Sequence, residues 1–250
     1  MIRLATRSSA QARTQAEVVA QSITSATGIP VELVFVETLG DQNKDQPLHQ
    51  IGGQGIFVKE VQQAVLRGDA DIAVHSAKDL PSQHAQGLVV GAWCERRDAR
   101  DALVGNSLND LELGATVATG SVRRRAQLLT VRPDLKFVEL RGNIHTRLDK
   151  IPNNGSIVMA IAAMQVLGIT DRIAEELATT DFVPMVGQGC VAVECREGDH
   201  ETLAAISGID HARTRFAVEI ERAFLAELGA GCSMPVGAYV NDANVLSTFM

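Results

Sequence analysis

Two neighbouring side chains of opposite charge, Lys78 and Asp79, have the most chemistry to offer. They close the stretch Asp71-Ile-Ala-Val-His-Ser-Ala-Lys-Asp-Leu-Pro81. Its first half is a short apolar run that reads as a buried strand. Its second half turns polar before Pro81 forbids a continued ladder. In an open α/β sheet, ligands bind in the crevice beyond the carboxyl ends of the strands, which is where this order puts both residues. Read in isolation, Lys-Asp is a solvated surface turn, so the other strand ends have to decide. Arg7 follows the first strand. Thr119-Gly-Ser-Val-Arg-Arg-Arg125 opens a helix just past another, where free backbone N–H groups favour anions. Arg141-Gly-Asn-Ile-His-Thr-Arg147 repeats that arrangement. Guanidinium forks suit carboxylates and phosphates. An acidic chain that gathers arginines at one edge favours an anion site over a solvated surface, with Arg125 as the one that points away.

Cys232 stands apart among four cysteines, in a glycine-rich loop just after a helix. An accessible thiol there is a candidate for covalent chemistry, whereas Cys94, Cys190 and Cys195 adjoin apolar segments and read as small hydrophobes. Gly52-Gly-Gln-Gly55 lacks the Lys-Ser/Thr ending of a P-loop and the GxGxxG spacing, so a plain turn is the better reading.

The elements that must position these groups alternate. Residues 2–6 read as a strand, with Ser8 and Ser9 as caps for a helix to about Thr27, ended by Gly28-Ile29-Pro30. Residues 31–36 form a second strand. Beyond a polar loop, a helix puts Phe57, Val61, Ala64 and Val65 on one face. The Ile72 strand and one over 88–92 complete a parallel-sheet pattern. The charged run 95–101 marks a boundary. A second α/β set follows, with strands at 115–118, 136–140 and 156–161 and helices from Ser121 and over 143–150. Pro184-Met-Val-Gly-Gln-Gly-Cys190 is a second hinge, and the strand from Val191 is expected to return to the first sheet. A helix over 212–228 carries the stripe Phe216, Ile220, Ala223, Phe224 as its buried face, and strands at 235–240 and 244–249 close the sequence. The fold class is α/β.

With 250 residues, 46% hydrophobic and 21% charged, the chain has the makeup of a soluble globular protein. A net charge of −7 argues against a nucleic-acid partner. No run of about 18 apolar residues points to a membrane. The start carries no secretory pattern, and the cysteines lack zinc-site or disulfide-framework spacing, so no metal and a reducing cytoplasm are expected.

Taken together, the motifs resemble a known family. Ala5-Thr-Arg-Ser-Ser9, Gly-Gly-x-Gly with Phe57-Val-Lys-Glu60, His75-Ser-Ala-Lys-Asp79, Thr119-Gly-Ser-Val-Arg-Arg124, Leu140-Arg-Gly-Asn143 with Thr146-Arg147, Val186-Gly-Gln-Gly189, Glu194-Cys-Arg196 and Gly231-Cys-Ser-Met-Pro235 run collinearly. In that order they are similar to porphobilinogen deaminases (hydroxymethylbilane synthases). The resemblance implies two lobes like those of periplasmic binding proteins, over 1–96 with 188–208 and over 97–187. It also implies a small α+β third domain over 209–250 that carries the cofactor loop. Family members continue past this point, so the third domain reads as truncated. It implies a transferase, working as a cytoplasmic monomer in tetrapyrrole (haem) biosynthesis. That enzyme joins four porphobilinogen units head to tail into hydroxymethylbilane on a dipyrromethane primer held by a thioether to Cys232. By motif position Asp79 is the catalytic carboxylate. Lys78, Ser76, Thr119, Ser121, Arg123, Arg124 and Gln188 hold the cofactor, and Arg7, Ser9, Arg141 and Arg147 hold substrate. The pattern departs at Gln50 and Gln54, where lysines are frequent, at Val166, where an arginine is usual, and at Ala230, a glycine elsewhere. The alternatives are a catalytically impaired homologue and an anion-binding two-lobe receptor module.

Overall fold

The computed structural model describes residues 1–38, 55, 57–229 and 234–250. Cys232, Ala230, Gln50, Gln54 and the turn at 52–54 lie outside the described residues.

The first sheet begins with β1 (Ile2–Arg7), followed by α1 (Ala10–Thr27). The Ser9 hydroxyl accepts from the Ala12 N–H and caps this helix. Gly28 ends it with φ of 72°, its N–H returning to the Thr24 carbonyl. Ala16, Val19 and Ile23 recur at helical spacing and are buried against the sheet. Then come β2 (Val31–Val36), α2 (Lys59–Leu66), β3 (Ile72–Ser76), a 3₁₀ turn over Ala77–Asp79, and β4 (Leu88–Trp93). The second sheet is built from β5 (Asp101–Gly105), β6 (Thr116–Ala118), α3 (Val122–Val131), β7 (Lys136–Val138), α4 (Ile144–Leu148), β8 (Ser156–Ala160), α5 (Ile161–Leu167) and β9 (Ile173–Leu177). The chain then returns through β10 (Val191–Arg196) and α6 (His200–Ser207). It ends in α7 (Ala212–Glu227) and the hairpin of β11 (Gly237–Val240) and β12 (Leu246–Phe249).

The sheet orders are β2-β1-β3-β10-β4 and β7-β6-β8-β5-β9. In the first, β10 lies antiparallel between β3 and β4, so the strand from Val191 does return to the first sheet. In the second, β5 lies antiparallel between β8 and β9. This strand was not foreseen, because its apolar core is only Ala102-Leu-Val104 behind a charge-dense run. The lobes are therefore joined by two crossovers, residues 94–100 and 178–190. These touch each other: a Cβ on Gly189, whose φ is 87°, would stand 2.6 Å from the Arg97 carbonyl oxygen. Each lobe has its own core, one around Leu4, Ile23, Ile72, Val193 and Ile206, the other around Val104, Ile157, Met159 and Met164. Burying each such side chain contributes about 1.5–3 kcal/mol.

The helix α7 departs from the expected stripe. Phe216 is 48% exposed, and the buried face is Thr214, Ala217, Val218, Glu221 and Arg222. Polar bonding turns the helix this way. Glu221 is fully buried and accepts from Arg96 Nη1 (2.6 Å), the Gly187 N–H (2.9 Å) and the Val240 N–H (2.9 Å). Thr214 accepts from the Arg96 N–H at 3.0 Å. A buried carboxylate without donors costs several kcal/mol, more than burying one aromatic ring returns. The ion-pair face wins.

Candidate functional site

The carboxyl ends of β1 and β3 in the first lobe, and of β6 and β7 in the second, deliver the charged residues. β3 runs directly into the 3₁₀ turn holding Lys78 and Asp79. The second crossover is packed against that turn: a Cβ on Gly187 would meet the Ala77 carbonyl carbon at 3.2 Å and the Lys78 nitrogen at 3.3 Å. Ser76 donates to Gln15 Oε1 at 3.2 Å. Arg7 ends β1 with its guanidinium 4.1 Å from the centre of the Phe57 ring.

In the second lobe, Ser121 caps α3, its hydroxyl accepting from the Arg124 N–H, and Thr119 accepts from the Ser121 N–H at 3.2 Å. Asn143 caps α4 in the same way, through the Thr146 N–H at 2.9 Å. Arg147 Nε donates to the Gly142 carbonyl at 2.9 Å. These caps fix where the arginines leave the backbone.

Charge couples the two lobes here. Burial and the nearby Arg124 push the Lys78 ammonium down to about 8, against the pull of Asp79 and Asp101. Arg147 falls to about 10 through burial and through Arg124 and Arg141, with Asp79 opposing. Lys78, Asp79, Asp101, Arg124, Arg141 and Arg147 therefore share one electrostatic neighbourhood with more positive than negative charge. Within it, Arg141 Nη1 is buried with no hydrogen-bond partner among the described residues. Such an arrangement suits a ligand bearing several carboxylates.

Not every expected ligand-holder is free to act as one. Arg123 is 4% exposed. It donates to Asp101 Oδ2 (2.6 Å) and the Val183 carbonyl (2.6 Å), and lies 5.6 Å from the Phe182 ring centre. Arg124 donates to Asp101 Oδ1 and to the Val158 carbonyl. Gln188 spends its amide on the Ala99 carbonyl (2.7 Å) and Asp101 Oδ1 (2.9 Å), tying one crossover to the other. Ser9 is occupied as a helix cap. Arg125 pairs with Glu139 at 3.3 Å, away from the cluster. Asp101 was missed by sequence reasoning, which took the run 95–101 as a boundary. The only signal was an acidic residue heading an apolar triplet.

The thiols follow environment. Cys190 and Cys195 are buried and Cys94 half-buried. Burial pushes Cys94 up to about 12 and Cys195 to about 11, and Cys190 higher still. None is poised as a nucleophile.

Comparisons with known proteins bear on the family and the fold. Residues 2–204 match the sequence pattern described as porphobilinogen deaminase, dipyromethane cofactor binding domain, and residues 215–247 match its C-terminal domain. A porphobilinogen deaminase of Geotalea uraniireducens is 42% identical over 243 residues, covering 95% of this chain and 76% of that one. One from Thermobifida fusca is 45% identical over the same shares. Among solved structures, the methionine binding protein MetQ aligns with a TM-score of 0.52 at 17% identity, over 90% of this chain and 94% of that one. A periplasmic substrate-binding protein of Coxiella burnetii aligns at 0.51 and 15% identity, over 86% and 94%. The latter two speak for the two-lobe fold alone. The chain belongs to the porphobilinogen deaminase family.

Proposed function

We propose that this chain is a transferase that deaminates four porphobilinogen units and joins them head to tail into hydroxymethylbilane, on a dipyrromethane primer bound through Cys232. One observation carries the reading: Lys78 and Arg147 interact with the Asp79 carboxylate, Arg124 and Arg141 share their electrostatic neighbourhood, and Arg141 keeps a buried N–H group with no hydrogen-bond partner among the described residues. A pyrrole with acetate and propionate arms matches that donor set, and so does a primer made of two such rings. Lys78, Arg124 and the caps Thr119 and Ser121 would hold the primer, with Ser76, Arg123 and Gln188 behind them. Arg7, Ser9, Arg141 and Arg147 would hold the incoming substrate. When bound, the dipyrromethane supplies the pyrrole carbon from which the chain starts.

Departure of ammonia from the aminomethyl group of porphobilinogen leaves a cation shared between the methylene carbon and the ring nitrogen. A fixed carboxylate at Asp79 stabilises that cation more than it stabilises the neutral ring, which is the condition for acceleration. The surrounding cations neutralise the acidic arms.

The lobe boundaries at 96, 187 and 208 fit this reading, with the third domain from 209 carrying the cofactor loop; the sheet memberships support them. We place the protein in the cytoplasm as a monomer with no nucleic-acid or membrane partner. Three unpaired thiols and the charge of −7 support the compartment and the absence of a nucleic-acid partner. Light scattering on the eluting peak tests the monomer.

Intact mass tests the function. The purified chain should carry an excess equal to two linked pyrrole units, lost in Cys232→Ser and kept in Cys94→Ser, Cys190→Ser and Cys195→Ser. Retention of that excess in Cys232→Ser would overturn the attachment. Absence of uroporphyrin formation from porphobilinogen would overturn the reaction.

A further inference from the structure

Asp101 is the first residue of β5, where the first crossover enters the second lobe, and it pairs with Ala160 at the carboxyl end of β8. Its side chain is fully buried. Donors reach it from two other elements: Arg123 Nη2 at 2.6 Å, Arg124 Nη2 at 2.6 Å and Nε at 3.1 Å, and Gln188 Nε2 at 2.9 Å. A carboxylate has about four acceptor positions, and Asp101 already receives four donors, three on Oδ1 and one on Oδ2, all from the protein. The guanidiniums are not saturated. Arg124 uses Nε, Nη1 and Nη2 on Asp101 and the Val158 carbonyl, and Arg123 uses Nη1 and Nη2 on the Val183 carbonyl and Asp101. Each guanidinium has five N–H groups. Two guanidiniums against one carboxylate leave one positive charge uncompensated within the cluster. That charge reaches Lys78 across the lobe junction.

We propose that Asp101 is the positioning residue of the anion site. It holds Arg123 and Arg124 in fixed planes and, through Gln188, ties their placement to the second crossover. The inference rests on the proposed function only for what the arginines hold. A buried ion pair is weak evidence for stability, since apolar residues of like volume often do as well. Its value here lies in orientation: a 1 Å displacement of a binding group can cost on the order of 10²-fold in rate. Asp101 would thereby set the site without touching substrate.

The test uses full-length Asp101→Asn, Asp101→Glu, Arg124→Gln and the double variant Asp101→Asn with Arg124→Gln. Three quantities are read: the fraction of protein carrying the two-pyrrole mass excess, KM for porphobilinogen on the loaded fraction, and the thermal midpoint. Asp101→Asn should lose most of its mass excess and raise KM about tenfold or more, while Asp101→Glu falls between it and wild type. The double variant should cost less than the sum of the two single variants, because the aspartate acts in part through Arg124 and otherwise through Arg123. Wild-type loading and KM in Asp101→Asn, with only the midpoint lowered, would make the pair structural and end the proposal. Costs that add in the double variant would end it too. If Asp101→Asn does not fold, Asp101→Glu decides, and a wild-type KM there is the overturning result. Wild-type protein without the mass excess would instead count against the function itself.

Discussion

Both lobes insert one antiparallel strand into an otherwise parallel sheet, and both inserted strands start at the edge that faces the other lobe. Val191 of β10 pairs with Ser76 at the end of β3, and Asp101 of β5 pairs with Ala160 at the end of β8. Each strand buries one carboxylate. On β5 it is the first residue, beside the arginines. On β10 it is Glu194, three residues further in, opposite Ala73 in the middle of its sheet. There Glu194 accepts from Gln62 Nε2 at 2.8 Å. It also lies 3.1 Å from His75 Nε2, a contact at ion-pair distance but off the line of a hydrogen bond. The same topology thus yields two devices that differ by a depth of three residues. One organises a binding edge, and the other is sealed inside a core.

The sharpest break in that comparison is at the edge itself. Asp79→Asn keeps the shape and removes the charge, so condensation should slow by about 10²–10³ while porphobilinogen still binds. Single-turnover kinetics near the wild-type rate would return Asp79 to the role of a solvated turn. Next is the sealed carboxylate. Glu194→Leu removes one partner of a buried pair, and stability should fall by about 3–5 kcal/mol with KM of the folded protein unchanged. Urea unfolding alongside substrate titration separates the two effects, and a raised KM would mean that depth does not insulate the pair. The sign with pH follows from its direction: Glu194 is held below its ordinary 4.5 by His75 and Gln62, against the cost of burial. It therefore stabilises the fold above about pH 4.5, and that contribution is lost as pH falls through the lower folded value.

Arg141→Leu removes a charge-assisted contact at the edge. It should fold normally and lose about 1.5–3 kcal/mol of transition-state binding, read as kcat/KM beside a circular dichroism spectrum. An unfolded variant would make Arg141 a structural residue. Lys78 gives a pH signature. Its ammonium is protonated below about 8, so kcat/KM should decline as pH rises through that value and the carboxylate arms lose a cation. Lys78→Arg should remove this limb, and a limb that persists belongs to another group. The smallest effect lies on α7. Phe216→Ser should change stability by no more than about 0.5 kcal/mol, whereas Val218→Ala should cost about 1–3 kcal/mol. The reverse order in a denaturation series would restore the hydrophobic stripe that the ion-pair face displaced.

Much was determined by the sequence by itself. Short apolar runs and the residues that interrupt them placed β1, β3, β6 and β8, the cap Ser9, the helix start at Ser121, and the turn that ends in Lys78 and Asp79, because these rest on local spacing and backbone chemistry. The return of β10 to the first sheet followed from its apolar run beyond a hinge. The collinear motifs named the family. What only tertiary structure decided is how buried charges are shared. Whether Arg123 faces a ligand or Asp101 depends on a carboxylate 22 positions away, and Gln188 reaches Asp101 across 87. The turn of α7 away from Phe216 is set by Arg96, 125 positions from Glu221. Helical periodicity records which side chains are apolar. It holds no information on which polar partner the fold will bring to the other face, and in a low-dielectric interior that partner decides the outcome.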